Sequence, residues 1–533
     1  MPSLPTGGDP AAPTPSFLDA YLRGDLNAFF DVAPGDVDAG LARPYPGDRE
    51  ALADALDAQA VARGDHEAQR RNVRRLRHAN ASVVVTGQQP GVLLGPMYAL
   101  VKAFSALALA ARLDRDDRPV VPVFWVASQD HDVGEIDHAT LLGPDGVRRE
   151  VALDLPDARP SGRIAWRDDW TACLRDAVAD LYGATGPAQE VQALIDDVAG
   201  PGGTVADVFA RTLSRLLGAD GLVVLDPMKP ELARTFAPWL RRELAAPHVG
   251  PAAINEAGEA LRAAGWTPQL GRAADATNLF AQHGDGPRRL LRVAGDGFHL
   301  DGDVEARHTA AELAAWLEDD PAALTPAAGL RPTLQDAILP TAAVVVGPGE
   351  LKYFAQVRGV YAHHGVAMPT LHPRTRATLL EPPAARILAR YGLDAAAVQA
   401  DPDGVEREAL LRLHGAADAF ETAAARLETD VADLLEAVRG VDPTLEGPVQ
   451  RSEASVVTTV RRLRTKTGAA LARRDRVTHQ QFARLRAMLL PGGAPQERVV
   501  SPFAYFAKFG VAPVLQRLRT LPESGAHELS VDP

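Results

Sequence analysis

Two apolar, β-branched runs separated by one helical span constrain this chain more than any other feature. Residues 82–86 (SVVVT) and 119–127 (PVVPVFWVA) are continuously apolar rather than alternating, as strands buried on both faces are. Between them apolar residues recur at helical spacing from Pro96 to Leu113, with Pro96 suited to the first helical position. Two buried strands joined by a helix predict a parallel sheet covered on both faces. A right-handed crossover then places both strand C-termini on one edge. The pattern resumes with a helix at 204–217, a run GLVVLDP at 221–227 and a third strand, TAAVVVG, at 341–347. A helix over PGELKYFAQVRGVYAHHG and the stretch VAMPTLHP follow. The expected fold is α/β.

The remainder divides around this core. Residues 1–16 are rich in Pro and Gly and read as a disordered start, and 17–77 as helical. The core is expected over 17–385, with insertions at about 143–200 and 251–330, the second containing a hairpin over RRLLRVAGDGFHLDGD. Residues 386–490 read as an antiparallel helical coiled coil. Ala417, Ala424, Val431 and Val438 share one heptad position, and Phe420, Leu427 and Leu434 its partner. A second helix over 449–489 carries Val456, Val460, Leu463, Thr467, Ala470 and Val477 as its stripe. The first helix (403–439) holds nine acidic and four basic residues, the second (449–486) ten basic and two acidic, which favours their pairing. The segment 491–533 is too aromatic for a loose tail and should dock on the body.

A net charge of −13 argues against nucleic acid as a partner, since that requires a basic footprint. No apolar run reaches the ~20 residues needed to span a bilayer, and no basic-then-apolar leader opens the chain, so a cytoplasmic protein without membrane partners is expected. The single cysteine, Cys173, excludes an internal disulfide framework and CxxC chemistry. It reads as a small core residue on a helix. Among 56 basic residues, only Lys102, Lys229, Lys352, Lys466 and Lys508 are lysines, so a lysine is the exception where arginine is the default surface charge.

Ligands of open α/β sheets bind at strand C-termini, and three polar stretches fall there. In VVVTGQQPGVLLGPMYALVK (83–102), Gly87, Gly91 and Gly95 match neither a dinucleotide fingerprint nor a phosphate-binding P-loop. Gln88, Gln89 and Lys102 offer polar groups, and spacing alone leaves a ligand loop and a tight strand-to-helix turn equally open. SQDHDVGEIDH (128–138) packs Asp130, His131, Asp132, Glu135, Asp137 and His138 directly after a buried strand. Its bland alternative is a capped helix start, and its spacing matches no metal site. VVVGPGELKYF (344–354) echoes the first stretch, with Gly347-Pro348 opening a helix as Gly95-Pro96 does, and a lysine shortly inside each. Gly349 permits close backbone approach, Glu350 sits at the helix start, and Gln335 and Asp336 lie just upstream.

Taken together in this order, VVTGQQPG…GPMYALVK, PVFWVASQDHDVGEIDH, LRPTLQDAILPTAAVVVGPGE and QERVVSPFAYFAKFG resemble the cysteine ligases of bacillithiol biosynthesis, the BshC family. The resemblance implies a nucleotidyltransferase-like Rossmann core with two connecting-peptide insertions and a C-terminal coiled coil used for homodimerisation. It also implies a reaction, amide formation between the carboxyl group of L-cysteine and the amine of glucosaminyl-malate. Carried over, its motifs fall on Thr86, Gly87, Gln88 and Gln89; on Gly95, Pro96 and Tyr98; on Asp130, His131 and Asp132; and on Gly347 to Glu350. Gln129 stands where the family commonly has glutamate, Pro90 and Leu94 replace small residues, and the HIGH and KMSKS signatures of related ATP-using synthetases are absent.

A free carboxylate is a poor electrophile, so ATP is expected as cosubstrate, with Mg²⁺ as a candidate companion and no structural metal. The loop from Thr86 to Gly95, the helix start at Pro96 and Lys102 are candidates to hold phosphate or carboxylate. His131 is a candidate acid/base or phosphate contact. Asp130, Asp132 and Glu350 are candidates to hold or deprotonate an amine, and Tyr505 and Lys508 for a second nucleotide pocket against the coiled coil. The rival readings are another Rossmann-type transferase acting on a different amine or sugar, and a non-catalytic coiled-coil scaffold.

Overall fold

The computed structural model describes residues 16–531, so the disordered start expected over 1–16 lies, but for Ser16, outside the described residues. Two compact units result, Ser16–Leu379 together with the segment from Glu497 onward, and Leu380–Gln496. No described helix is long and apolar enough to cross a membrane.

Five strands build the main sheet of the first unit: β1 (Ser82–Gln88), β2 (Val120–Val126), β3 (Val223–Leu225), β4 (Thr341–Val346) and β5 (Thr370–Pro373). Their order is β5-β4-β1-β2-β3 and every pairing is parallel. Val83, Val84 and Val85 of β1, and Val121, Val123 and Phe124 of β2, are fully buried, which is why both strands read as unbroken apolar runs. The chain first moves from β1 outward through β2 to β3, then returns to the opposite side of β1 as β4 and β5. The order therefore reverses between β1 and β4, and the loops leaving these two strands diverge to open a crevice.

Helix α1 (Tyr98–Leu113) makes the first crossover and α2 (Val205–Leu217) leads into β3. Further along come α3 (Ala237–Ala245), α4 (Arg331–Ile338), α5 (Pro348–Phe354) and α6 (Arg358–His364). The helix expected over PGELKYFAQVRGVYAHHG is thus split into α5 and α6. At the break the buried Gln356 accepts from the backbone N–H of Gln269 (2.7 Å) and Leu270 (2.8 Å) and donates to Leu270 O (2.9 Å). That staple to the second insertion outweighs the helical periodicity. The insertion itself carries an antiparallel five-stranded sheet, and the first is entered through the hairpin His138–Leu142/Arg148–Ala152 and carries two helices. Cys173 lies on the first of those helices, Asp168–Tyr182, but is exposed rather than in the core, because the inward stripe is Trp170, Leu174, Ala177 and Val178.

The C-terminal segment packs into the same unit. Ser501 Oγ donates to Leu93 O (2.8 Å), Met97 N–H donates to Val500 O (2.8 Å), and Phe503, Tyr505 and Phe506 join the core.

The second unit is helical, with α7 (Pro402–Leu413), α8 (Ala417–Arg439), α9 (Glu446–Arg474) and α10 (Arg476–Leu489). The two long helices read from periodicity are each interrupted. Gly415, at φ +67°, separates α7 from α8, and Asp475 caps α10 through Thr478 N–H (3.0 Å). The opposed charges meet, with Arg464 2.7 Å from Glu408 and Arg486 2.7 Å from Glu406. The apolar stripes are shifted, however. Val456, Leu463 and Val477 are 43–63 % exposed, and Leu434 51 %, whereas Val457 and Gly468 are buried, Gly468 beneath the Arg407 side chain. The face that α9 presents inward is set by α7 as well as α8, a choice the heptad count alone does not contain.

Phe506 has no exposed surface. Phe506→Ala is expected to destabilise the sheet unit by about 3–5 kcal/mol, read as a lower chemical-denaturation midpoint; a change below about 1 kcal/mol is incompatible with this docking of the C-terminal segment.

Candidate active site

The crevice between the loops leaving β1 and β4 forms a cavity of about 420 Å³, within the ~300–1,000 Å³ usual for small-molecule sites. Gly87, Gln88 and Gln89 line it from β1, Tyr98 and Lys102 from α1, Asp130 and Asp132 from the loop after β2, and Gln335 from α4. Gly347, Pro348, Gly349 and Glu350 line it from β4 and α5. So the three polar stretches, distant in sequence, share one wall because all three follow parallel strands.

Lys102 holds these elements together. Its ammonium is buried, 2.6 Å from Glu350 Oε2, and donates to Gly87 O (2.9 Å) and Gln88 Oε1 (3.2 Å). Burial pulls the ammonium below its ordinary range, opposed by the Glu350 carboxylate. The Gly347 N–H donates to Glu350 Oε2 at 2.7 Å, the one arm of a capping box that a glycine at the start of α5 allows. Glu350 is therefore engaged twice and is a fastener rather than an unpaired base. Lys352 does not line the cavity, so the echo between the two Gly-Pro stretches stops at the backbone. Gly87 has a steric reason. A Cβ there would lie 2.8 Å from Trp125 O on the paired strand.

The second half of the glycine loop does something other than hold a ligand. Val92, Leu93 and Leu94 are buried in the core, with Leu93 and Leu94 at φ +49° and +66°. The Met97 N–H at the start of α1 is already satisfied by Val500 O. Gly95 and Pro96 therefore do not line the cavity, and the expected cradle at that helix start is a core plug covered by the C-terminal segment. Thr86 also points away, its hydroxyl donating to Val345 O (3.0 Å) and fastening β1 to β4.

Of the DHD triplet, the two aspartates face the cavity and His131 does not. Arg288 Nη1 lies 2.7 Å from His131 Nδ1, and the ring packs on Phe280 at 5.2 Å. Burial and the Arg288 charge hold the imidazole below its usual range, so it is neutral at pH 7. Asp130 accepts from Gln89 Nε2 (3.0 Å) and from the His131 N–H (2.8 Å). Burial acts to raise its pKa, but the Arg331 and Arg288 charges and these hydrogen bonds outweigh that and hold it below the ordinary carboxylate range. Asp336 also lies outside the wall, buried beneath α4, where it accepts from the Tyr361 hydroxyl and from Gln335 Nε2 (3.2 Å). Tyr505 is buried in the core and Lys508 lies 5.0 Å over its ring, so Tyr505 offers no open face for a base to stack on.

Sequence reasoning passed over four polar members of the wall, Arg331, Tyr353, Arg374 and Arg498, and named Glu135 only as one of a polar cluster. Glu135 stands at the mouth, where burial of its inner side and the neighbouring Asp132 and Asp130 push its carboxyl up. Arg331 bonds to the Tyr353 hydroxyl, and burial with Glu350 beside it pushes that phenol up to about 12. Arg374 makes a buried two-pronged pair with Glu497 (2.6 and 3.1 Å) and its guanidinium lies 5.7 Å from the Tyr98 ring centroid. Arg374 had a readable signal, since it directly follows β5 at the same sheet edge; Arg498 had only its place in QERVV, with nothing to say that the far end of the chain returns to the cavity. The cavity is thus bipolar in charge, its wall holding Lys102, Arg331, Arg374 and Arg498 together with Asp130, Asp132, Glu135 and Glu350.

A parallel, reversing α/β sheet with a charged cavity at its switch point defines a Rossmann-like small-molecule-binding protein. Residues 20–375 match the N-terminal Rossmann-like domain of the bacillithiol biosynthesis protein BshC, and 377–531 its C-terminal coiled-coil domain. Relatives named "putative cysteine ligase BshC" include one from Thermus thermophilus, 40 % identical over 491 residues, covering 91 % of this chain and 94 % of the relative. Another from Salinibacter ruber is 32 % identical over 555 residues (98 % and 97 %), and one from Geobacillus thermodenitrificans 31 % over 502 (90 % of each). The chain belongs to the BshC family.

Removing Lys102 strands the Glu350 carboxylate, whose side chain is only 27 % exposed. Lys102→Met is expected to cost roughly 3 kcal/mol in chemical denaturation, and the double variant Lys102→Met/Glu350→Met to recover part of that loss.

Proposed function

We propose that this chain joins the carboxyl group of L-cysteine to the amine of glucosaminyl-malate, completing bacillithiol. The observation that carries the reading is the bipolar cavity, taken with the family to which the chain belongs. Glucosaminyl-malate is itself bipolar, an amine on the sugar and two carboxylates on the malate. The cavity's cations, chiefly Arg331 and Arg498, suit the carboxylates, because guanidinium groups bind them in two-pronged fashion. Its carboxylates suit the ammonium group. An amine attacks only after losing its proton, and Glu135, with its raised pKa and its place at the mouth, is the carboxylate best fitted to accept it. Asp130, held ionised by its arginines, positions the ammonium, with Asp132 beside it.

The cysteine carboxylate requires activation, for which ATP is the proposed cosubstrate. Attack of the carboxylate oxygen on a phosphorus atom gives an acyl adenylate with release of pyrophosphate, or an acyl phosphate with release of ADP. The amine then displaces AMP or phosphate. The Glu350-capped start of α5 and the covered start of α1 leave the side-chain cations of the cavity as the groups for phosphate; Mg²⁺ would find an oxygen ligand in Asp132. His131 acts here through Arg288 as packing and not as an acid or base. We further propose a cytoplasmic homodimer joined through the helical unit, supported by the exposed Leu434, Val456 and Leu463.

Purified protein given cysteine, glucosaminyl-malate, ATP and Mg²⁺ is expected to yield bacillithiol by mass spectrometry, with AMP or ADP identifying the intermediate; no product with any nucleotide refutes the reading. Should a different amino sugar be consumed in its place, the rival transferase reading takes over. Deprotonated Glu135 is the active form, so kcat/KM is expected to rise with pH through a limb above the ordinary glutamate value of 4.5. Glu135→Gln should remove that limb and lower kcat by about 10²–10⁴-fold, with far-ultraviolet circular dichroism unchanged.

A further inference from the structure

A second cluster of ligating side chains lies apart from the cavity wall. Glu243 belongs to α3, and His363 and His364 end α6. The side chains of Glu243 and His364 are wholly shielded from solvent and meet at 2.9 Å, between Oε2 and Nε2. Glu243 Oε1 accepts from Asn278 Nδ2 at 3.2 Å. Beyond these bonds, His364 Nδ1 and His363 Nε2 are buried with no hydrogen-bond partner. Each buried polar atom left so costs about 1–3 kcal/mol, and two on adjacent residues call for an explanation. One ring nitrogen from each histidine and one Glu243 oxygen lie within 4.8 Å of one another, the one such group among the described residues.

We propose that Glu243, His363 and His364 bind a divalent cation of the zinc type that braces α6 against α3. Two imidazoles and a carboxylate are a ligand set that zinc takes, with bonds of about 2.0–2.2 Å. Ligand atoms around such a tetrahedral ion stand roughly 3.3 Å apart. The Glu243–His364 contact, at 2.9 Å, is close to this, and the His363 nitrogen, within 4.8 Å, would have to move in on binding. His363 is only partly buried, which gives the ion an entry path and leaves its fourth position to water. A cation supplies the electron-pair acceptor that the protein does not offer His363 Nε2, and on His364 it takes Nε2, the nitrogen that faces Glu243.

The surroundings are built for it. Asn278 orients the carboxylate from behind, as outer-shell partners of metal ligands do. A Cβ on residue 250 would lie 2.4 Å from Asn278 Nδ2 and 2.9 Å from Glu243 Oε1, so only Gly250 leaves room for this arrangement. Arg242 Nη1 donates to His364 O at 3.0 Å and fixes the end of α6; its charge opposes a cation, and the Glu243 carboxylate offsets it. Because α6 follows directly on α5, which carries Glu350, the bound ion would stiffen the frame behind the cavity without touching substrate.

The test uses full-length protein stripped with a chelator, re-equilibrated with Zn²⁺ and freed of excess by gel filtration. One zinc per chain by elemental analysis and a zinc-dependent rise in Tm are expected. His363→Ala removes a partly exposed ligand and should lose both, weakening zinc binding at least about 100-fold, whereas His527→Ala, an unrelated histidine, should keep both. Co²⁺ on the wild-type protein should show the intense visible bands of a four-coordinate site, a readout that needs no variant. The assignment is overturned if wild-type protein retains no zinc, if His363→Ala retains a full equivalent, or if Co²⁺ gives only the weak spectrum of six-coordinate surface binding.

Discussion

The buried ammonium of Lys102 is the point on which the cavity depends. From α1 it reaches the end of β1 at Gly87 and Gln88, and across the switch point it meets Glu350 at the start of α5. Those two loops diverge because strand order reverses between β1 and β4. A crevice opened by topology is only a gap until its walls are tied at a fixed separation, and a single charged group with several oxygen partners does that. The tie also explains a compositional oddity. In a chain that uses arginine almost everywhere, this position holds one of five lysines. A compact ammonium fits among three oxygens where a planar guanidinium fork would not.

Around that clamp charges of both signs are interleaved. Arg331 leans on Tyr353 and Asp130, Arg374 is locked to Glu497, and Tyr98 lies between Lys102 and Arg374. The carboxylates are unequal, Asp130 held below the ordinary range by arginines and Glu135 pushed above it by burial and its acidic neighbours. Two carboxylates with pKa values driven apart can divide the tasks of holding an ammonium and accepting its proton. The proposed reaction rests on the family to which the chain belongs and on this mixture of charges in its cavity.

The sheet was legible because burial on both faces leaves an unmistakable pattern, and the polar wall because parallel strands deliver their loops to one edge. Which side chains of each loop face inward was not. Asp130 and Asp132 enter the cavity while His131 between them turns to Arg288, as neighbours on an extended segment point in opposite directions. Gly95 and Pro96 read as a cradle, but the C-terminal segment covers that helix start. The inward stripe of α9 departs from the heptad reading because α7 also packs on that helix. Glu243 and the His363-His364 pair carry no ligand spacing and meet only through the packing of α3 on α6.

By itself, then, the sequence determined the parallel sheet, its two insertions, the helical second unit and the three loops at the strand ends. Each is written in local periodicity and turn chemistry, which act over a few residues. Tertiary structure alone decided the identity of the cationic wall, the double engagement of Glu350 and the burial of the second half of the glycine loop. Those outcomes rest on contacts such as Lys102–Glu350, Arg374–Glu497 and Leu93–Ser501, whose partners lie far apart along the chain. No window of sequence holds both halves of such a contact; only the folded chain brings them within reach.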